Sequence, residues 1–92
     1  MEMNVDIPND RLLNVIYYDE MNKKKLSLYN VYYKGKSKRF IIFQDYNYNR
    51  IPIIELPLIL TIHRSKYNHK TDKYINGETI YKNINNSYGI DL

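Results

Sequence analysis

Ninety-two residues, about 11.2 kDa, carry 14 basic and 10 acidic side chains for a net charge of +4, enough chain for one small domain with a modest core. Cysteine is absent, which excludes disulfides, thiolate catalysis and cysteine-held zinc or iron–sulfur centres. The positive excess is divided evenly between the two halves, so an anionic partner must be met by a patch assembled on folding rather than by a basic tail.

The alphabet is skewed. Alanine and tryptophan are missing, while Ile, Asn, Tyr and Lys supply 13, 12, 11 and 10 residues, all from AT-rich codons. A virus or another AT-rich mobile element is the expected source, and part of the tyrosine and lysine excess then reflects base composition rather than function. The first twenty residues lack a basic start followed by an apolar run, and the most apolar stretch, 51–62, is short and interrupted by Glu55. An intracellular, non-secreted protein without a membrane partner is expected.

Along the chain, one domain is expected over 1–92, with 1–10 and 83–92 loosely ordered. Residues 11–19 (RLLNVIYYD) would start well as a helix on Asn9 or Asp10. The run Val15, Ile16, Tyr17, Tyr18 favours a strand, which is the reading taken. Residues 25–33 and 38–45 flank Lys34-Gly35-Lys36-Ser37 and read as a hairpin with Tyr33 opposite Lys38, Val31 opposite Phe40 and Tyr29 opposite Ile42. Both its faces are half apolar, so it belongs in the middle of the structure or against a partner. Residues 46–50 form a polar–aromatic connector. From Ile54 to Ile62 the even positions are all apolar, a strand pattern in which Pro57 implies an edge or a bulge, against a rival helix starting near Pro57 and running to Tyr67. Residues 64–73 read as a solvated basic loop. Asn76-Gly77 within 73–82 is the strongest hairpin-turn signal in the chain. The last ten residues read as irregular, and the Asn85-Asn86-Ser87 acceptor pattern is assigned to chance in a non-secreted protein.

The fold class expected from these elements is α+β and strand-rich: a small antiparallel β-sheet of four to six short strands with at most one or two helices. A small all-β barrel is the alternative.

Enzymatic chemistry finds no support. The serines lack a nucleophile-elbow setting, the carboxylates Glu55 and Glu78 are far apart, and no phosphate-binding glycine loop exists. His63 and His69 would stand about 20 Å apart along a strand, so no metal site or other cofactor is expected, and no small-molecule substrate is evident. What remains is basic and aromatic. Lys34, Lys36, Lys38 and Arg39 crowd the expected hairpin tip beside Tyr32, Tyr33 and Phe40. Arg64, Lys66, Lys70 and Lys73 alternate with His63, Tyr67, His69 and Tyr74. Lysines neutralise phosphates, arginine pairs with them in a fork, and tyrosines offer stacking faces. The expected function is binding of DNA or RNA through Lys34, Lys36, Lys38, Arg39, Arg64, Lys66 and Tyr32. The alternative is a protein-interaction module, a homodimer or a host-factor binder, motivated by the two-sided hairpin and the tyrosine surplus.

Overall fold

The computed structural model describes residues 6–47, 49 and 53–84. They form six strands: β1 (Leu13–Asp19), β2 (Lys24–Ser37), β3 (Phe40–Asp45), β4 (Ile54–Glu55), β5 (Ile59–Asn68) and β6 (Lys73–Lys82). A three-residue 3-10 turn, Leu56–Leu58, is the one helical element among the described residues. The strands make one antiparallel sheet in the order β4-β3-β2-β1-β5-β6. The sheet is strand-rich as expected, but it is open, with β4 and β6 as its edges, so the closed-barrel alternative does not hold.

Register dictates how the sheet curves. Tyr17 pairs with Leu26 on one side and Ile59 on the other, while Phe40 pairs with Ser37 and with Glu55. In a flat sheet the run from Leu26 to Ser37 would hold Glu55 and Ile59 roughly 36 Å apart along the strand direction. The short connection between those two residues reaches at most about 14 Å. Strand β2 must therefore bend, and it does so where its ladder is interrupted. Asn30 sits at φ 56° in a bulge opposite Asn14, and Gly35 at φ 149° in a second bulge opposite β3. Asparagine and glycine are the residues that enter positive φ most easily. One long strand thus serves two layers, its first half beside β1, β5 and β6, its second beside β3 and β4.

The core fills the fold between them. Leu13 and Val15 of β1, Val31 of β2, Ile41 and Phe43 of β3, Ile54, Leu56, Ile59, Ile62 and Tyr81 pack into one cluster that Ile7 also joins. Burial of the Tyr81 ring raises the pKa of its hydroxyl.

Four local expectations are corrected. The hairpin forms, but its turn is Lys38–Arg39, with Ser37 opposite Phe40 and Tyr33 opposite Phe43, so Gly35 lies inside β2. That register sets Ile41, Phe43 and Val31 into the same core, and Lys38 takes the left-handed conformation (φ 56°) that a glycine was expected to supply. Asn76-Gly77 makes no turn, because β6 continues through it, bulging between Asn76 and Thr79. Gly77 instead lets β6 approach β5: a Cβ there would lie 3.0 Å from the Arg64 carbonyl oxygen and 3.3 Å from the Lys66 Cβ.

The alternation over 54–62 is not one strand. Pro57, lacking an N–H, stands inside the 3-10 turn that separates β4 from β5. Nor is 64–73 a loop, since Arg64 to Asn68 belong to β5 and Lys73 opens β6. The strand assignment at 11–19 agrees with β1, and the rival helix from Pro57 to Tyr67 is absent. The expectations for Met1–Val5, for Tyr48 and Arg50, and for the Asn85-Asn86-Ser87 pattern lie outside the described residues. Within the segments expected to be loose, Ile7 and Asn83 are buried.

Candidate functional site

Side-chain amides build the floor of the site. Asn14, 1% exposed, accepts a hydrogen bond from the Asn30 backbone N–H (3.1 Å) and donates to Asn76 Oδ1 (2.9 Å) and to the Ile75 carbonyl (3.3 Å). The Ser65 hydroxyl donates to Asn30 Oδ1. These five residues come from β1, β2, β5 and β6, so the network spans four strands at the point where β2 bends. A buried amide is tolerated only when its hydrogen bonds are satisfied, and here the bulge at Asn30 supplies the donor that Asn14 needs.

On this floor lies an open groove of about 430 Å³ lined by Tyr29, Asn30, Asp45, Tyr46, Asn47 and Tyr74. Its three tyrosines are 61%, 61% and 49% exposed. Asp45 Oδ1 accepts the Asn49 backbone N–H at 2.7 Å, which steadies the turn that carries Tyr46.

The aromatic surface continues past the groove. Tyr74 meets Tyr67 edge to face at 5.2 Å between ring centroids, and Tyr67 meets His69 at 4.9 Å. Tyr67 and His69 in turn line a second hollow of about 390 Å³ with Lys66, Asn68, Lys70 and Ile75. The turn at its end is held by its own side chains: Asn68 Oδ1 accepts the Lys70 N–H (2.9 Å), and Asp72, at φ 57°, donates its N–H to the Asn68 carbonyl (2.8 Å). Lys66, Lys70 and Lys73 are exposed on this hairpin.

The other basic cluster is placed elsewhere. Lys34, Lys36 and Lys38 are exposed toward the β2–β3 tip, about 10, 17 and 23 Å along the chain from Val31, whose pair with Asp45 stands beside the groove. Arg39 is engaged there: its Nε lies 3.2 Å from Glu55 Oε2, its guanidinium stands 5.6 Å from the Phe40 ring centroid, and its carbonyl accepts the Leu56 N–H at 2.7 Å. Tyr32 is half-buried on β2 opposite Gln44. Arg64 pairs with Glu78 at 3.6 Å, and its Nε is buried without a hydrogen-bond partner among the described residues. The seven candidate residues are therefore spread along the sheet, with Lys34, Lys36, Lys38 and Arg39 toward the β2–β3 tip, Tyr32 in mid-β2, and Arg64 and Lys66 on β5, Lys66 alone of them lining a hollow of the aromatic surface.

Sequence reasoning missed Tyr29 and Tyr46, which a bend at Asn30 brings beside Tyr74. A signal existed in the Asn-rich pattern around them, but only the register of β2 shows that these rings line one groove. His63 hydrogen-bonds Thr79 through Nδ1 at 3.2 Å. No helix among the described residues is long and apolar enough to cross a membrane. Compared with protein-family models, curated proteins and solved structures, the chain matches none.

Proposed function

We propose that this protein binds single-stranded nucleic acid along the surface that runs from Tyr29, Tyr46 and Tyr74 to Tyr67 and His69. One observation carries the reading: exposed rings from three different strands and turns surround a single groove and continue, ring against ring, to a hollow edged by Lys66 and Lys70. Single-strand binding needs that combination. Each base has a π-face that a tyrosine can stack on whatever the sequence, and lysines beside the rings neutralise the phosphates that follow. The Asn30 and Asn47 amides and the open oxygen of Asp45 offer hydrogen bonds to base edges at the same place. Lys34, Lys36 and Lys38 form a separate cationic end that adds long-range attraction.

The test is fluorescence anisotropy with labelled single-stranded DNA, RNA and duplex DNA at low and at physiological salt. Micromolar binding that survives physiological salt and prefers a single-stranded form is expected. Tyr74→Ala, at an exposed position, is expected to weaken it by roughly 5- to 100-fold. Binding that vanishes at physiological salt is what any domain of this charge shows, and would overturn the proposal.

A further inference from the structure

Besides Tyr29, Tyr46 and Tyr74 the groove is lined by Asn30, Asp45 and Asn47, and Asp45 is the single charged residue in that lining. On a surface that meets a polyanion a carboxylate repels phosphate. The phosphates therefore belong at the neighbouring hollow, with Lys66 and Lys70, and a base belongs in the groove. The fold itself does not call for a charge here. Asp45 Oδ1 closes the turn by accepting the Asn49 N–H, which an asparagine oxygen would do equally well. Asp45 Oδ2 has no hydrogen-bond partner among the described residues, and an ionised carboxylate accepts hydrogen bonds without donating any.

Asn30 has the opposite character. Its Oδ1 already accepts the Ser65 hydroxyl, so the part of the amide left for a ligand is Nδ2, a donor. One groove lining thus holds an oxygen that only accepts and a nitrogen that only donates. We propose, resting on the reading that single-stranded nucleic acid lies along this surface, that the groove selects cytosine or adenine over uracil or thymine. Cytosine and adenine carry an amino group beside an unprotonated ring nitrogen on the edge used for base pairing. The amino group donates to Asp45 Oδ2 and the ring nitrogen accepts from Asn30 Nδ2. Uracil and thymine present a carbonyl oxygen and a ring N–H in those places, so acceptor meets acceptor and donor meets donor. Such mismatched groups lose their water without gaining a partner. The tyrosines stack on any base, and the two polar groups discriminate among them.

The turn role of Asp45 makes a clean variant available. Asp45→Asn keeps an oxygen for the Asn49 N–H and replaces the second oxygen by an NH2 donor. That donor suits the carbonyl of uracil, while Asn30 still opposes the uracil ring N–H, so the variant levels the preference rather than reversing it. Removing a negative charge also raises the affinity for every strand alike. The ratio of affinities, not either affinity alone, therefore reports base reading.

Fluorescence anisotropy at physiological salt with labelled oligodeoxycytidine and oligodeoxyuridine of equal length tests the proposal. The two strands differ only at the edge in question, and a homopolymer puts a known base in the groove whatever its register. The native protein should bind the cytidine strand roughly tenfold more tightly. Asp45→Asn, melting at the native temperature, should bring the two affinities within about twofold of each other. Failure of the native protein to bind either strand overturns the single-strand reading itself. Binding of both strands with equal affinity overturns base selection alone, and so does an Asp45→Asn variant that keeps the native preference.

Discussion

The β2–β3 and β5–β6 hairpins are alike in composition, both lysine- and tyrosine-rich, and the fold uses them differently. Hairpin β2–β3 lies inside the sheet, gives Val31, Ile41 and Phe43 to the core, and is tied at its tip by Arg39 to Glu55 and Leu56. Hairpin β5–β6 contributes Ile59, Ile62 and Tyr81 near its base, while its outer part, from Lys66 to Ile75, carries rings and cations on open surface. Composition does not separate a hairpin built into the core from one whose outer part stays open. Position in the ladder does, because an interior hairpin has a strand on each side and an edge hairpin does not.

The sharpest way to test that division is to remove a ring from each hairpin. Phe43→Ala should cost about 3–5 kcal/mol in urea unfolding, a large share of what a domain of this size has. Tyr67→Ala, half-buried in the outer part, should cost about 1 kcal/mol. Comparable losses would mean that the outer hairpin is structural too. The polar floor joins both hairpins, and Asn14→Ala should cost about 2–3 kcal/mol, since it leaves the Asn30 N–H without its acceptor and releases Asn76. A smaller loss would mean that the strands hold their positions without it.

Binding offers a matched comparison. Replacing Lys34, Lys36 and Lys38 by Gln removes the same charge as replacing Lys66, Lys70 and Lys73. At physiological salt the second set should weaken single-strand binding about tenfold and the first about twofold. Equal effects would leave net charge, not placement, as the cause. The smallest effect concerns the β1–β2 turn, which resembles the β5–β6 turn. The Asn22 side-chain amide, donating to Asp19 at 2.6 Å, holds the carboxyl below its ordinary pKa, with the Met21 and Asn22 backbone and Lys24 adding to it. A pKa lowered on folding stabilises above the unfolded value and is lost as pH falls through the folded one. Asp19→Asn should therefore slightly lower the melting temperature at neutral pH, with the difference from the native chain closing in acid.

Legibility followed the kind of signal. The runs of β-branched and aromatic residues at 13–19 and 40–45 marked strands because packing on a pleated surface is a local preference. Glycine misled, because the hairpin turns among the described residues are made without it. Residues 20–23 and 69–72 are closed by Asp19 and Asn68 side chains at their entrances and by Lys23 and Asp72 at positive φ, while Lys38 does the same in the third turn. The glycines at 35 and 77 serve a bulge and a close strand approach instead. The groove was illegible for a different reason. Tyr29, Tyr46 and Tyr74 converge only after β2 bends at Asn30, and a bend is set by long-range register rather than by neighbours in sequence.

The bond from Asn14 to Asn76 joins residues 62 positions apart. On a ribosome adding about 5–20 residues per second, the two partners are made roughly 3–12 s apart. Strand β1 has one flank uncovered until β5 appears, part-way through that interval, and its amide waits the whole of it, for β6. A nascent chain of this protein therefore exposes a pairing-competent central strand for seconds, which makes the interval before β5 emerges the period in which trigger-type chaperones or neighbouring nascent copies would capture it.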